Sequence, residues 1–393
     1  MKKLLILNGS HSDIPLIEAG KRLGFRVITT GNDPSLVGHR YADEYHCVDF
    51  SDARAILQLS RKLNIDAICS CANDFGAITA AYVAEEMGLP GHDPYEAALT
   101  LHQKHRFKSF ALSSRISTPY AASFGSVEEA SAELDKLSFP LIVKPVDLTG
   151  GKGVTKADSK QECLQAIRHA YSCSRMKQFL VEEFIQGSYH SLTTFVLAGK
   201  IVFCFSDNEY SYVNPYHVTT SAAPAVGIEK VIDQLKEEAE RMIDALSLSD
   251  GIFHMQYIQT GSKAWIIEVT RRCSGDFYPY PVKYATGVDW AEWIVKAESG
   301  IDCEDFPQAV QSGFYGRHCI MGRRNGVLKS VGISRELEGN VIDRFTILNK
   351  GDVIRDWMVD KAGVLFLQFG TMEEMIRKTT HIESMVSVEL EQP

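Results

Sequence analysis

Lys144 lies in a short apolar run bounded by prolines, Pro140-Leu141-Ile142-Val143-Lys144-Pro145, and the turn Val146-Asp147-Leu148-Thr149-Gly150-Gly151-Lys152-Gly153-Val154 follows at once. An apolar run of this length reads as a β-strand. The glycines of the turn let a backbone approach an anion with no Cβ in the way. A lysine ammonium beside the peptide N–H groups of Gly150, Gly151 and Gly153, with Thr149 and Val154 flanking them, is suited to cradling a chain of phosphates. The plainer reading of the same residues is a glycine hairpin next to a buried lysine.

The elements that position this lysine follow from the pattern around it. The first 95 residues alternate strands (4–7, 26–29, 67–70) with helices (14–23, 53–63 and one running through 83), an order that implies a parallel sheet with right-handed crossovers. Gly9-Ser10-His11 and Asn73-Asp74 fall at carboxyl ends of strands, where open α/β sheets bind ligands. A helical linker over 96–115, carrying Lys104, Phe107 and Phe110, leads to a compact module over 116–186. That module reads strand, helix (127–137), the strand with Lys144, glycine loop, helix (160–171) and strand (179–182). Residues 187–305 hold a hairpin around Ala198-Gly199, a helix with Val231, Leu235, Ala239, Met242 and Leu246 on one face, and strands 252–258 and 264–269. Residues 306–393 read as a small strand-rich unit closed by a helix near 373–378.

Composition narrows the class. The chain has 393 residues, 45% hydrophobic and 23% charged, the balance of an ordinary globular protein of two or three domains. A net charge of −9 argues against a nucleic-acid or anionic-membrane partner, so any phosphate must be met locally. Nine cysteines without CxxC spacing fit reduced thiols and a cytoplasmic location. The apolar start Leu4-Leu5-Ile6-Leu7 ends at Asn8-Gly9, too short for a signal peptide, and no run is long enough to span a membrane.

Order and spacing together resemble the ATP-grasp superfamily over nearly the whole chain, in the style of biotin carboxylase and the L-amino acid ligases. The residues that carry the resemblance are Lys104, Lys144, the loop Thr149 to Val154, the stretch Glu182-Glu183-Phe184-Ile185, and Glu268-Val269-Thr270-Arg271-Arg272. It implies an α/β and α+β multidomain chain, a Rossmann-like parallel sheet followed by an ATP-grasp fold. It also implies ATP, with Lys104 and Lys144 on the phosphates, residues 182–185 around the adenine, and His190 at the ribose. Two lysines at ~4 Å from phosphate charge each gain on the order of 4 kcal/mol at an effective dielectric of 20. Mg²⁺, or Mn²⁺ in its place, takes oxygen ligands. Glu268 is the candidate carboxylate, while Gln256 and Thr270 stand where the family pattern has an acid and an asparagine, leaving one negative charge fewer. Arg272 suits a transferring phosphoryl group or an acyl phosphate, and Arg271 either a substrate contact or a structural ion pair. Ser274, Gly275 and Asp276, with His217 and Arg317, are expected around the substrate.

The resulting expectation is an ATP-dependent ligase that activates a small-molecule carboxylate as an acyl phosphate and joins it to an amine, with a homodimer as the assembly that ligases of this kind often form. A nucleotide-binding protein with reduced turnover, suggested by Gln256 and Thr270, and a bicarbonate-activating carboxylase are the alternatives.

Overall fold

Leu4, Leu5, Ile6 and Leu7 are all fully buried, as expected of a strand covered on both faces. They form β1 (Lys3–Leu7) in a computed structural model that describes residues 1–148 and 150–391, so Thr149 lies outside the described residues. The N-terminal unit continues through α1 (Ile14–Arg22), β2 (Arg26–Thr30), β3 (Glu44–His46), α2 (Ala53–Leu63), β4 (Ala67–Cys69) and α3 (Asp74–Met87). Its sheet runs β3-β2-β1-β4, all parallel. The Asn73 side chain caps α3 by accepting from the Phe75 N–H, which fixes where Asp74 emerges at the end of β4.

Two helices, α4 (Tyr95–His102) and α5 (Lys104–Ser113), lead to a module of β5 (Ala121–Phe124), α6 (Val127–Glu133), β6 (Leu141–Pro145), β7 (Thr155–Ala157), α7 (Lys160–Cys173) and β8 (Phe179–Glu183). The four strands form an antiparallel sheet in the order β5-β8-β6-β7. Leu141, Val143, Phe179 and Val181 bury one face against Cys163 and Ile167 of α7. Alternation therefore puts Lys144 and Glu182 together on the other face.

The remaining elements are β9 (Ser188–Leu197), β10 (Lys200–Tyr210), β11 (Thr220–Ala223), α8 (Ile232–Ala245), β12 (Gly251–Thr260), β13 (Lys263–Thr270), α9 (Pro279–Thr286), α10 (Trp290–Glu298), β14 (Phe314–Met321), β15 (Gly326–Ile333), α11 (Arg335–Glu338), β16 (Val341–Thr346), β17 (Val353–Ile354), β18 (Lys361–Phe369), α12 (Met372–Thr380) and β19 (Val386–Glu391). Eight of the strands make one sheet, β13-β12-β9-β10-β11-β14-β18-β16. The division expected at 305–306 thus falls inside a sheet, because β14 pairs with β11 across a long sequence gap. Strands β15, β17 and β19 form a separate three-stranded sheet. Pro279 and Tyr280 open α9, where proline is tolerated in the first turn.

The large sheet has two apolar sides. Leu192, Val196, Met255, Tyr257 and Ile266 pack under Leu235, Ala239 and Met242 of α8. Phe195, Phe203, Phe205 and Ile252 pack against Trp290 and Trp293 of α10 and reach Leu16 and Ile17 of α1. A β-bulge in β13 decides the facing of its last residues. Gln256 pairs with Glu268, yet the next residue, Tyr257, pairs with Ile266, leaving Ile267 as the extra residue. Ile266 consequently joins the core under α8, while Glu268 and Thr270 turn to the opposite face with Gln256.

Candidate functional site

The Lys144 ammonium lies 2.8 Å from Glu182 Oε2, and Lys108 of α5 reaches the same oxygen at 3.2 Å. Lys108 is only 2% exposed and also donates to Thr118 Oγ1 at 2.6 Å. Burial pushes its pKa down to about 8, against the attraction of Glu182 and with further opposition from Lys144. Burial works against ionisation of Glu182, but the two ammoniums outweigh it and hold the carboxyl below its usual range. Lys104 donates to the Leu148 carbonyl at 2.8 Å and so tethers the start of the glycine loop. Sequence reasoning passed over Lys108; its signal was a lysine between Phe107 and Ala111 on the buried face of α5.

The glycine loop is folded onto the wall opposite. Gly151 has φ +72°, and a Cβ there would lie 2.7 Å from the Tyr216 carbonyl oxygen. Gly150 has the same left-handed backbone with open space around it, and Val154 donates its N–H to Gly151 O at 3.4 Å. Gly153, also left-handed, packs against Pro145. In the hinge, the Glu183 N–H donates to Tyr120 O, the Phe184 N–H donates to Pro140 O, and the Phe184 ring lies 4.8 Å from Lys156 Nζ. Ile185 directly follows in the loop before β9. His190, expected at the ribose, is a correction. It pairs with Tyr257, stacks on that ring at 5.4 Å, and faces the α8 side of the sheet rather than the side of Gln256 and Glu268. Burial lowers its pKa to about 4, so the imidazole is neutral.

Glu268, Gln256, Ser191 and Asp207 form a continuous row across β13, β12, β9 and β10, and Glu209 follows Asp207 on the same face. The Gln256 amide donates to both oxygens of Glu209, at 2.9 and 2.8 Å. Burial, and then the neighbouring Asp207, raise the Glu209 pKa; burial also raises that of Asp207, whose Oδ1 accepts from Ser191 Oγ. No described side chain donates to the Glu268 carboxylate, and the buried Thr270 hydroxyl has no described partner. One carboxylate, one amide oxygen and one orphaned hydroxyl make an oxygen-only donor set that fits Mg²⁺. Among the described residues no three His, Cys, Asp or Glu converge as a dedicated cage, which suits an ion completed by phosphate oxygens and water.

Two adjacent arginines point to different partners. Arg272 Nε donates to Asp74 Oδ1 at 2.8 Å, and His102 Nδ1 meets the same oxygen at 3.0 Å. Burial opposes the charge on Asp74, but Arg272 and His102 more than offset it and the carboxyl stays well below its usual range. Arg272 is thereby fixed by the N-terminal unit, with Glu268 among the charges that favour its cation. Arg271 is a correction to the expected substrate contact. It makes a two-point ion pair with Asp93 at 2.8 and 3.1 Å and donates to the carbonyls of Ile252 and Ser249, which leaves it a structural role.

The loop after β13 joins three parts of the chain. Asp276 Oδ1 meets Lys361 Nζ at 2.6 Å and His11 Nε2 at 3.1 Å, and its N–H donates to Ser12 Oγ. Burial works against its ionisation, while Lys361 and His11 prevail and keep its pKa low. A carboxylate so occupied is a clamp between units rather than an open substrate contact. Arg317 donates to the Gly275 and Asp276 carbonyls at 2.6 and 3.1 Å, and its buried Nε has no described partner. Ser274 Oγ and His217 Nδ1 are likewise buried without a described partner. Burial, then Lys361, lowers the pKa of His217, so it belongs to this polar cluster and not to the nucleotide end.

Residues 102–214 match the family model described as phosphoribosylglycinamide synthetase, ATP-grasp (A) domain. The whole chain superposes on the L-amino acid ligase of Bacillus licheniformis with a TM-score of 0.81 at 20% identity, covering 100% of this chain and 99% of that one. The chain has an ATP-grasp fold. Another structural neighbour is the biotin carboxylase domain of the Hydrogenobacter thermophilus 2-oxoglutarate carboxylase, a dimer solved with MgADP and bicarbonate. It has a TM-score of 0.79 at 16% identity, over 99% of this chain and 91% of that one. By sequence, the formate-dependent phosphoribosylglycinamide formyltransferase of Burkholderia pseudomallei is 27% identical over 284 residues, 69% of each chain. No helix among the described residues is long and apolar enough to cross a membrane.

Proposed function

We propose that this chain is an ATP-dependent ligase that converts a small-molecule carboxylate to an acyl phosphate and joins it to an amine. The observation that carries the reading is the convergence of Lys144 from the β5–β8 module, Glu268 from the large sheet and Arg272 anchored to the N-terminal unit, linked through Glu182 and Lys108. Lys104, Lys144 and the loop around Gly150, Gly151 and Gly153 hold the triphosphate, and the hinge over 182–185 receives the adenine. Mg²⁺ would be held by Glu268, Gln256 and Thr270, and supplies neutralisation of phosphate charge. A substrate carboxylate oxygen bonds to the γ-phosphorus as the bridging P–O bond breaks and ADP leaves. The amine nitrogen then bonds to the acyl carbon, phosphate departs, and the amine proton passes to water. Arg272 steadies the transferring group, and positioning and charge suffice for the chemistry. A formate-dependent relative and an L-amino acid ligase neighbour both fit a carboxylate as the activated group.

The test is ADP and phosphate release by the purified protein with formate, amino acids and hydroxy acids, each crossed with a panel of amines. One ADP per amide, dependent on both partners, supports the reading. ADP release that needs bicarbonate alone points to a carboxylase, and nucleotide binding without release across the panel refutes ligation.

A further inference from the structure

We propose that Glu209, reaching from β10, is a positioning residue that holds the Gln256 amide in the one orientation useful to a cation. The inference rests on the reading of Glu268 and Gln256 as the metal position. Both distances from the amide to Glu209, 2.9 and 2.8 Å, are those of well-formed hydrogen bonds. Both Glu209 oxygens accept, so they select the NH₂ end of the Gln256 side chain. The carbonyl oxygen is left on the far side, where β13 carries Glu268 directly opposite Gln256 in register. Without that selection, an amide can present either end, and its NH₂ end repels a cation.

The sheet explains how the acid reaches this place. Gln256 pairs with Ser191, and Ser191 with Asp207, so β10 runs two strands away on the same sheet. Glu209, two residues beyond Asp207, shares its face and spans the gap with its longer side chain. Gln256 thus stands beside Glu268, and the Glu209 carboxyl stands behind Gln256. Outer partners of this kind orient ligands and typically alter metal affinity by about 10- to 100-fold.

The arrangement makes the two positions interdependent in sign. Gln256→Glu alone sets two carboxyl groups against each other at hydrogen-bond distance, where they share a proton and turn toward each other, so it weakens cation binding instead of strengthening it. Glu209→Gln alone replaces an acceptor oxygen with a competing NH₂ group and frees the amide. The exchange Gln256→Glu with Glu209→Gln restores one acid and one amide, now in swapped positions, and recovers binding. The experiment measures Mn²⁺ affinity of the protein with a non-hydrolysable ATP analogue, by the electron paramagnetic resonance signal of free Mn²⁺. Metal-free analogue binding and thermal melting accompany it for each variant. The expected result is a loss of about tenfold or more in each single variant, recovery in the exchange, and metal-free analogue binding close to wild type throughout. Should Glu209→Gln fail to fold, Glu209→Asp keeps the carboxyl but withdraws it by one methylene, and it must also weaken Mn²⁺ binding. Undiminished Mn²⁺ affinity in Glu209→Gln, or losses that simply add in the exchange variant, overturns the role of Glu209 while leaving the metal position intact. A wild-type protein that binds the analogue but no Mn²⁺ overturns the metal position itself, and this inference with it.

Discussion

Lys108 offers a direct measurement of what it takes to keep a cation inside this protein. It is packed in α5 against Glu182, with Lys144 as a like charge and Glu268 as a further acid nearby, and Thr118 as a hydrogen-bond partner. Its pKa falls from an ordinary 10.5 to about 8 on folding. Between those values the unfolded chain binds the proton that the folded protein has released, so stability must rise with pH across that window. Below pH 8 both states are protonated and the full cost is present. At about 1.4 kcal/mol per pH unit, the swing from pH 7 to 9.5 is about 2 kcal/mol in favour of folding. For a cooperative unit of domain size that is roughly 4–8 °C in melting temperature. Other groups titrate over the same range, so the quantity to follow is the difference between wild type and Lys108→Met. The methionine keeps the stem and removes the charge, and Glu182 retains Lys144. The wild-type curve should climb relative to the variant from pH 7 to 9.5, and parallel curves would refute the reasoning.

Asp74→Asn leaves Arg272 without its counter-charge in a buried pair, so melting should register a loss of about 3 kcal/mol. Ligase turnover should fall roughly tenfold or more with little change in ATP affinity, because the arginine is misplaced while the nucleotide contacts remain; unchanged turnover would separate Arg272 from the chemistry. Gly151→Ala combines a left-handed backbone with a clash against Tyr216, whereas Gly150→Ala meets only the backbone strain. Circular dichroism should be unaltered in both, and ATP binding by calorimetry should weaken by roughly tenfold in Gly151→Ala, for about 1–2 kcal/mol of strain and contact, and by less in Gly150→Ala. Equal effects would argue against closure of the loop onto Tyr216.

How far the site could be read from sequence depended on whether its signal was local. Lys104, Lys144, the glycine turn, Glu268 and Arg272 announce themselves by residue type and spacing within short stretches. Lys108 did not, since a lysine on a helix is ordinarily solvated and only packing against Glu182 makes this one unusual. Asp74 stood at a recognised ligand-binding position, the carboxyl end of a parallel strand, but its partner Arg272 is distant in the chain. Arg271 and Arg272 diverge just past the end of β13, so they could be sorted only once Asp93 and Asp74 had positions. Glu209 and the membership of β14 in the large sheet both depend on strand register across long gaps, which no local pattern encodes.

The extra residue at Ile267 gives β13 two halves that answer to different neighbours. Before it Ala264 and Ile266 are tied to the oil beneath α8, and after it Glu268 and Thr270 turn to the cleft. A change of side-chain volume at Ala264 or Ile266 is therefore absorbed by α8 without rotating Glu268, while polar substitutions at Thr270 leave that core untouched. Straightened into regular alternation, the same residues would set Glu268 on the face of Ile266 and in hydrocarbon, so the bulge, more than any single side chain in this strand, keeps the acid in the cleft.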